Sequence, residues 1–151
     1  MDGFEICLND VLVDTFNAVL KYEEASLRRI SNTPVTISEA HIIEAIGKLG
    51  GDASVSKVAS VLNIAVPTAT IAVQKLERKG IVMKTPCAED GRRFIICLTE
   101  TGKKLDRAHR IFHNKMVKNI SGRFLDGEKE ILMAAMLKLR QFFKEKIEAR
   151  E

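Results

Sequence analysis

The hydrophobic pattern of this 151-residue chain changes its period twice, and these changes limit the folds that it can adopt. Up to Gly80, apolar residues recur at spacings of three and four, which is typical of one face of an α-helix. Two short runs with the pattern of β-strands follow at 81–87 and 93–98, and the Asp-Gly pair between them is typical of a hairpin turn. The helical spacing then returns for the rest of the chain. This order predicts a mainly α protein with a small β-hairpin.

Local signals mark where the individual helices begin and end. Thr36 and Glu39 have the spacing of a capping box, in which each side chain accepts a hydrogen bond from the other residue's backbone N–H. Ser54 can cap a short third helix, and Asn63 suits the left-handed residue that ends such a helix. The predicted segments are helices over 4–30, 36–49, 54–62 and 65–80, strands over 81–87 and 93–98, and helices that begin at Thr99 and Asp126.

The helix predicted over 65–80 has one apolar face and one face that is unusual for a surface helix. Ala69, Val73 and Leu76 recur on the apolar face, whereas the opposite face is short and neutral at its start and basic at its end. A helix that only packs against a core usually displays a mixture of Glu and Lys to solvent. In a winged helix-turn-helix, by contrast, the second helix of the turn enters the major groove of DNA. The pattern therefore predicts a winged helix-turn-helix over 36–98, with 65–80 as its recognition helix.

The helices on either side of this region carry wide apolar stripes. Phe142, Phe143 and Ile147 near the C-terminus are more apolar surface than a small winged domain can cover by itself. We therefore interpret the chain as a single unit, 1–151, with the DNA-binding region flanked by long N- and C-terminal dimerisation helices. The helical dimerisation region is predicted over 1–33 and 99–151.

The charge distribution favours DNA binding by residues 36–98. The formal net charge is +4, basic residues outnumber acidic ones from 75 to 93, and acidic residues predominate over 1–30. Gln74 is expected to reach a base edge, and Arg92, held by Asp90, to enter the minor groove. The predicted DNA contacts are Ser54, Ser56, Lys57, Pro67, Thr68, Thr70, Ile71, Gln74, Lys75, Arg78, Asp90, Arg92 and Arg93.

Several segments are similar to sequences of the MarR family of bacterial transcription regulators. They are VSKVASVLNI in the first helix of the turn, LERKGIV at the entry to the hairpin, and AEDGRRFIICLTETGKKL, which contains Asp90-x-Arg92 and Leu98-Thr99-x-x-Gly102. The resemblance is carried by residues 36–105. It implies a homodimer whose first, fifth and sixth helices intertwine and which binds a near-palindromic operator in double-stranded DNA.

Two further segments, ISEAHIIEAIG and LNIAVPTATIAVQKL, are similar to the FabT-type branch of that family. This likeness implies a repressor of fatty-acid biosynthesis genes that responds to acyl chains on acyl carrier protein. Ala65 departs from the family, which usually has Ser or Thr at the cap of the recognition helix. Losing such a cap costs about 0.5–2 kcal/mol of helix stability.

An effector pocket is expected among the first, second and fifth helices. Few charges fall on the faces concerned, which favours a small lipophilic ligand such as an acyl chain. A regulator that responds to phenolic compounds is an alternative, and so is a peroxide sensor that uses Cys7. The predicted pocket residues are Phe16, Leu20, Tyr22, His41, Ile42, Ile46 and Phe112.

Enzymatic activity is not expected. The chain has three histidines and no Gly-rich phosphate loop, HExxH or GxSxG motif. His109 and His113 are four residues apart and could form half of a metal site, but no Cys or second His cluster completes that site by its spacing. We therefore predict no catalytic residue, no metal site and no cofactor.

The sequence also predicts a cytoplasmic protein without a membrane partner. No apolar run approaches the roughly 18–20 residues that span a bilayer. The N-terminus begins with acidic residues and lacks the basic region of a signal peptide. Cys7, Cys87 and Cys97 have no CxxC spacing and are expected to be reduced thiols.

Overall fold

A computed structural model of the chain describes residues 2–30, 34–87 and 94–149. The chain divides into two units, 1–112 and 113–151. The elements are α1 (Gly3–Ile30), α2 (Ile37–Leu49), α3 (Val55–Leu62), α4 (Val66–Arg78), β1 (Val82–Pro86), β2 (Phe94–Leu98), α5 (Glu100–Ser121) and α6 (Asp126–Glu148). The predicted mainly α fold with one antiparallel hairpin is confirmed.

The predicted helix caps around α2 and α3 are present. Thr36 Oγ1 accepts a hydrogen bond from the Glu39 backbone N–H at 3.2 Å, and Glu39 Oε2 accepts one from the Thr36 N–H at 2.9 Å. Ser54 Oγ accepts a hydrogen bond from the Lys57 N–H at 3.3 Å. Asn63 ends α3 with φ 52° and ψ 49°, in the left-handed region. These caps set the position of the turn between α3 and α4, because they fix where α3 begins and ends.

The core of the first unit is apolar and joins the hairpin to α2, α3 and α4. Its fully buried members include Ile43, Val58, Val73, Leu76 and Ile96. The sequence did not predict the short 3-10 turn at Gly50–Asp52 that follows α2. The next residue, Ala53, accepts a hydrogen bond from the Ile96 N–H at 2.8 Å and so attaches β2 to the helices.

The Leu-Thr-x-x-Gly segment joins the hairpin to α5. Thr99 Oγ1 donates to the carbonyl oxygens of Gly80 and Ile81, at 2.7 and 3.0 Å, and accepts a hydrogen bond from the Gly102 N–H at 3.2 Å. A Cβ atom at residue 102 would collide with the carbonyl oxygen of Ile81. Glycine is therefore required here, because the first turn of α5 touches the backbone that leads into β1.

The second unit contains the end of α5 and the whole of α6. Every residue of Asp126–Glu148 is described, and none is buried within the chain. The exposed apolar residues of α6 are Ile131, Leu132, Met133, Met136, Leu137, Phe142, Phe143 and Ile147. Among the described residues no single helix is long and apolar enough to cross a bilayer, and only α3 and α4, bent by 114°, have that length and composition together.

Candidate nucleic-acid interface

The α4 helix has the two faces that its sequence predicts. Ala69, Val73 and Leu76 are 0% exposed and pack into the core of the first unit. The chain bends by 114° between α3 and α4, within the range of a helix-turn-helix. The predicted DNA contacts of α4 that are exposed are Pro67, Thr68, Ile71, Gln74, Lys75 and Arg78.

Two of the predicted DNA contacts on α4 also donate side-chain hydrogen bonds to backbone carbonyl oxygens of α4. Thr70 is half-buried, and its Oγ1 donates to the Val66 carbonyl oxygen at 2.9 Å. Arg78 Nε donates to the Gln74 carbonyl oxygen at 3.4 Å, and this leaves the rest of the guanidinium group for a phosphate. Ala65 stands at the N-cap, where its methyl group cannot accept a hydrogen bond from the first-turn N–H groups.

The predicted contacts on α3 lie at its N-terminus. Ser56 is exposed, whereas Ser54 and Lys57 are half-buried. The Ser54 hydroxyl is used as the helix cap, and the Lys57 ammonium group pairs with Asp52. Ser54 and Lys57 therefore stabilise the N-terminus of α3, whether or not they also contact DNA.

The hairpin contributes Lys84, whose ammonium group lies 3.3 Å from the Glu77 carboxylate and ties β1 to α4. The predicted contacts Asp90, Arg92 and Arg93 lie outside the described residues, as does the predicted hairpin turn. Their roles remain predictions from the sequence.

Lys79 is a residue that the sequence reasoning missed. Its Nζ donates to both Glu39 carboxylate oxygens at 2.8 Å and to the Pro34 carbonyl oxygen at 2.8 Å. Burial by itself raises the pKa of Glu39, but the Lys79 ammonium group and the hydrogen bonds from Thr36 outweigh it and hold the pKa below its ordinary value. The end of α4 is thereby fixed to the start of α2.

Two of the seven predicted effector residues are buried in the core, and the other five are exposed or half-buried. Ile42 and Ile46 belong to the hydrophobic core and are 3% and 1% exposed. Phe16 and Leu20 are exposed on α1, and the rings of Tyr22 and Phe112 lie 4.9 Å apart. His41 is half-exposed, and its Nε2 lies 3.2 Å from Glu23 Oε1. Whether these residues bind an effector remains a prediction.

A cavity of about 500 Å³ lies in the first unit at a place that the sequence did not indicate. This volume is within the range of about 300–1,000 Å³ that is usual for small-molecule sites. The cavity lies between the end of α1 and the start of α2, and Lys79 forms part of its wall. The lining residues are Glu24, Leu27, Arg28, Pro34, Val35, Thr36, Ile37, Ser38 and Lys79.

Comparisons with known proteins identify relatives of the whole chain. The model of the MarR family matches residues 35–94. The crystal structure of Streptococcus pneumoniae FabT in complex with DNA is 31% identical, covers 93% of this chain and 98% of that chain, and has a TM-score of 0.86. Staphylococcus aureus MepR bound to ethidium bromide is 21% identical, covers 89% of this chain and 95% of that chain, and has a TM-score of 0.63, which shows a shared fold. No curated protein sequence gives a significant match.

Proposed function

Because the chain belongs to the MarR family of DNA-binding transcription regulators, we propose that it is a repressor that binds a near-palindromic operator as a homodimer. MarR proteins are transcription regulators and not enzymes. The observation that carries the proposal is the exposed face of α4, where short neutral side chains precede basic ones while Ala69, Val73 and Leu76 are fully buried behind them. This arrangement suits a helix that enters a DNA groove by its N-terminal half.

On this proposal the side chains of α4 have three different roles in DNA binding. Pro67, Thr68 and Ile71 are short enough to let the helix backbone approach the base edges. Gln74 is long enough to form paired hydrogen bonds with an adenine, while Lys75 and Arg78 neutralise phosphates and position the helix. The wing is proposed to add Arg92 in the adjacent minor groove.

The homodimer is supported by the apolar surface of the terminal helices. α6 has no buried residue along Asp126–Glu148, and Phe4, Val11 and Phe16 of α1 are each more than half exposed. An isolated helix gains little stability in water unless its apolar side is packed. A second copy of the chain would cover these surfaces and place two recognition helices about 34–36 Å apart, which is the separation of successive major grooves.

The regulated genes and the effector are proposed from the similarity to FabT. We propose control of fatty-acid biosynthesis genes, with an acyl chain, delivered by acyl carrier protein, as the effector. The exposed apolar residues of α1 and the Tyr22–Phe112 ring pair support a lipophilic ligand, since they offer apolar surface beside an aromatic edge. The ligand can change DNA affinity only by binding more tightly to one spacing of the recognition helices, typically by 1–3 kcal/mol.

The direct test is operator binding by the full-length chain, measured by fluorescence anisotropy on DNA from upstream of its own gene and of fatty-acid biosynthesis genes. The logarithm of the binding constant for operator should fall linearly with the logarithm of the salt concentration. Carrier protein loaded with a long acyl chain should change the affinity for operator. Acyl-free carrier protein is the matched control. Specific binding with no response to the acyl form would remove the acyl effector, and failure to bind any specific site would remove the repressor itself.

Two alternatives for the signal have their own tests. The first alternative is a peroxide sensor that uses Cys7. The Cys7 thiol is exposed on α1, so an oxidant can reach it. Peroxide should release operator from the wild-type chain but not from a Cys7→Ser variant if this alternative holds. A phenolic effector is tested by titrating a phenolic compound in the same anisotropy assay.

A further inference from the structure

A single carboxylate oxygen in the first unit stands between two histidine rings. Glu23 Oε1, on α1, lies 2.6 Å from His109 Nε2 on α5 and 3.2 Å from His41 Nε2 on α2. The three donor atoms lie within 4.8 Å of one another. The residues are far apart in the sequence, so only the packing of α1, α2 and α5 brings them together.

Two of the three residues in this cluster are buried, and the third is partly exposed. Glu23 is 3% exposed and His109 is 2% exposed, whereas the His41 side chain is 44% exposed. A second carboxylate is close, because Glu44 Oε2 lies 3.3 Å from His109 Nδ1. A carboxylate that is removed from water needs a cation or a strong hydrogen-bond donor beside it, since an uncompensated buried charge is costly. Lys48 Nζ lies 2.6 Å from Glu44 Oε1, while the rings of His41 and His109 both contact Glu23 Oε1.

We propose that Glu23, His41 and His109 form a binding site for a divalent transition metal ion, with Zn²⁺ as the best match to these ligands. Imidazole nitrogen and carboxylate oxygen are ligands that zinc accepts at about 2.0–2.2 Å, commonly as two histidines and one glutamate with a further open position. Ligand atoms at that distance in a tetrahedron are about 3.4 Å from one another. The 3.2 Å separation is within about 0.2 Å of this value, and the 2.6 Å separation needs to open by less than about 1 Å.

The surroundings have two further features of a metal site. Glu44 Oε2 lies 3.3 Å from His109 Nδ1, while Nε2 of the same ring lies 2.6 Å from Glu23 Oε1; a carboxylate is often found on the Nδ1 side of a histidine that binds a metal through Nε2. A cavity of about 120 Å³ lies beside His41 and gives the ion a route from solvent and room for a water molecule as an additional ligand. The cavity is lined by His41, Glu44, Ala45, Lys48, Val61 and Leu62.

The ion would connect side chains from three helices, α1, α2 and α5. α1 and α5 belong to the predicted dimerisation region, while α2 packs against the α3–α4 pair that carries the DNA-facing residues. Binding of the ion would therefore stabilise one arrangement of α2 against α1 and α5. This assignment revises the prediction that the chain has no metal site, and it gives His41 a role different from contact with an organic effector.

The test is a metal titration of the full-length chain after removal of metals by a chelator. Zn²⁺ is titrated in competition with a chromophoric chelator, and Co²⁺ is titrated as a spectroscopic substitute. We expect one ion per chain and the visible d–d bands of Co²⁺ in a nitrogen- and oxygen-ligated site. His41→Ala and Glu23→Gln should each lower the affinity by about tenfold or more, because losing a ligand costs no less than losing a supporting residue.

The chain offers a matched control for these variants. Glu24 is the neighbouring carboxylate on α1, but it is exposed and pairs with Arg28. Glu24→Gln should bind metal like the wild type, and far-ultraviolet circular dichroism should show that each variant is folded. Zn²⁺ should raise the Tm of the wild type and of Glu24→Gln, but not that of Glu23→Gln.

Three outcomes would overturn the proposal. They are the absence of saturable binding to the wild type, an affinity that His41→Ala and Glu23→Gln leave unchanged, and a thiolate-to-cobalt charge-transfer band, which would place the ion on a cysteine. The titration contains no DNA, so its failure leaves the proposed repressor function intact. A failure of operator binding likewise leaves the metal site intact.

Discussion

The ammonium group of Lys79 lies 2.8 Å from both carboxylate oxygens of Glu39, and this contact fastens the end of α4 to the start of α2. Glu39 also closes the capping box of α2 with Thr36. One buried carboxylate thus fixes both the first residue of α2 and the last turn of α4. The direction in which α4 points from the domain depends on this contact as well as on its apolar face.

Replacing Glu39 by Gln should destabilise the fold at neutral pH by about 1–3 kcal/mol, because a buried hydrogen bond between charged groups is lost. The pKa of Glu39 is lower in the folded chain than in the unfolded chain, so its stabilisation is present above the unfolded pKa and is lost as the pH falls through the folded pKa. The difference between wild type and variant should therefore shrink below pH 4.5, the ordinary pKa of this carboxyl. Urea unfolding across this pH range measures it, with Glu24→Gln as the exposed control. Parallel stability curves would contradict the prediction.

Replacing Gly102 by Ala should destabilise the chain by about 1–3 kcal/mol, because the added Cβ collides with the Ile81 carbonyl oxygen, a backbone atom that accepts hydrogen bonds from the N–H and the Oγ1 of Thr99. Gly51→Ala is the matched control, since a Cβ at residue 51 meets nothing within 4 Å. Thermal unfolding of both variants separates this steric effect from a general effect of alanine. Equal stabilities would show that the close approach of α5 to β1 is not required.

Replacing Ala65 by Ser should stabilise the chain by about 0.5–2 kcal/mol, because the hydroxyl can accept a hydrogen bond from a first-turn N–H group of α4. Chemical denaturation compares the variant with wild type, and Ala65→Val serves as a control that adds side-chain bulk without a hydrogen-bond acceptor. A gain in operator affinity beyond the gain in folding would indicate a phosphate contact by the hydroxyl. Equal free energies of unfolding for the Ala65→Ser and Ala65→Val variants would show that the missing N-cap hydrogen bond does not limit the stability of α4.

Replacing Gln74 by Ala should relax the preference for one base pair in each operator half-site by about 1–3 kcal/mol, because a paired hydrogen bond to a base edge is lost. Lys75→Ala should instead weaken binding to all operator sequences by a similar factor. It should also reduce the slope of log K against log salt concentration by about 1. Anisotropy titrations with single-base-pair operator variants distinguish the two effects. An even loss with Gln74→Ala would make this residue a positioning contact.

Replacing Arg92 by Ala should leave folding unchanged and weaken operator binding strongly, because a narrow minor groove concentrates negative potential on an inserted arginine. Arg93→Ala is the comparison, since the alternation predicted from the sequence over 93–98 assigns Arg93 to the opposite face from Arg92. Operator titrations at matched salt, with circular dichroism as the folding check, measure both. Unchanged binding by Arg92→Ala would contradict the prediction for the wing.

The sequence by itself determined the order of the α-helices and β-strands and placed their ends to within about two residues, although it did not predict the 3-10 turn at Gly50–Asp52. The capping box at Thr36, the left-handed Asn63 and the change of period after Gly80 depend on residues only a few positions apart, so they can be read without knowing the fold. The faces of α4 were predictable for the same reason, because the helical repeat alone decides that Ala69 and Val73 share one side.

Only the tertiary structure decided which distant residues meet and what the apolar residues of α2 do. Ile42 and Ile46 have the same spacing whether they face a core or a pocket, and packing placed them in the core. Glu39 and Lys79 are 40 residues apart, and Glu23 and His109 are 86 apart, so no local pattern marks either pair. Hydrophobic periodicity fixes which side of a helix is buried, but the partner across that buried surface is set by how the helices pack.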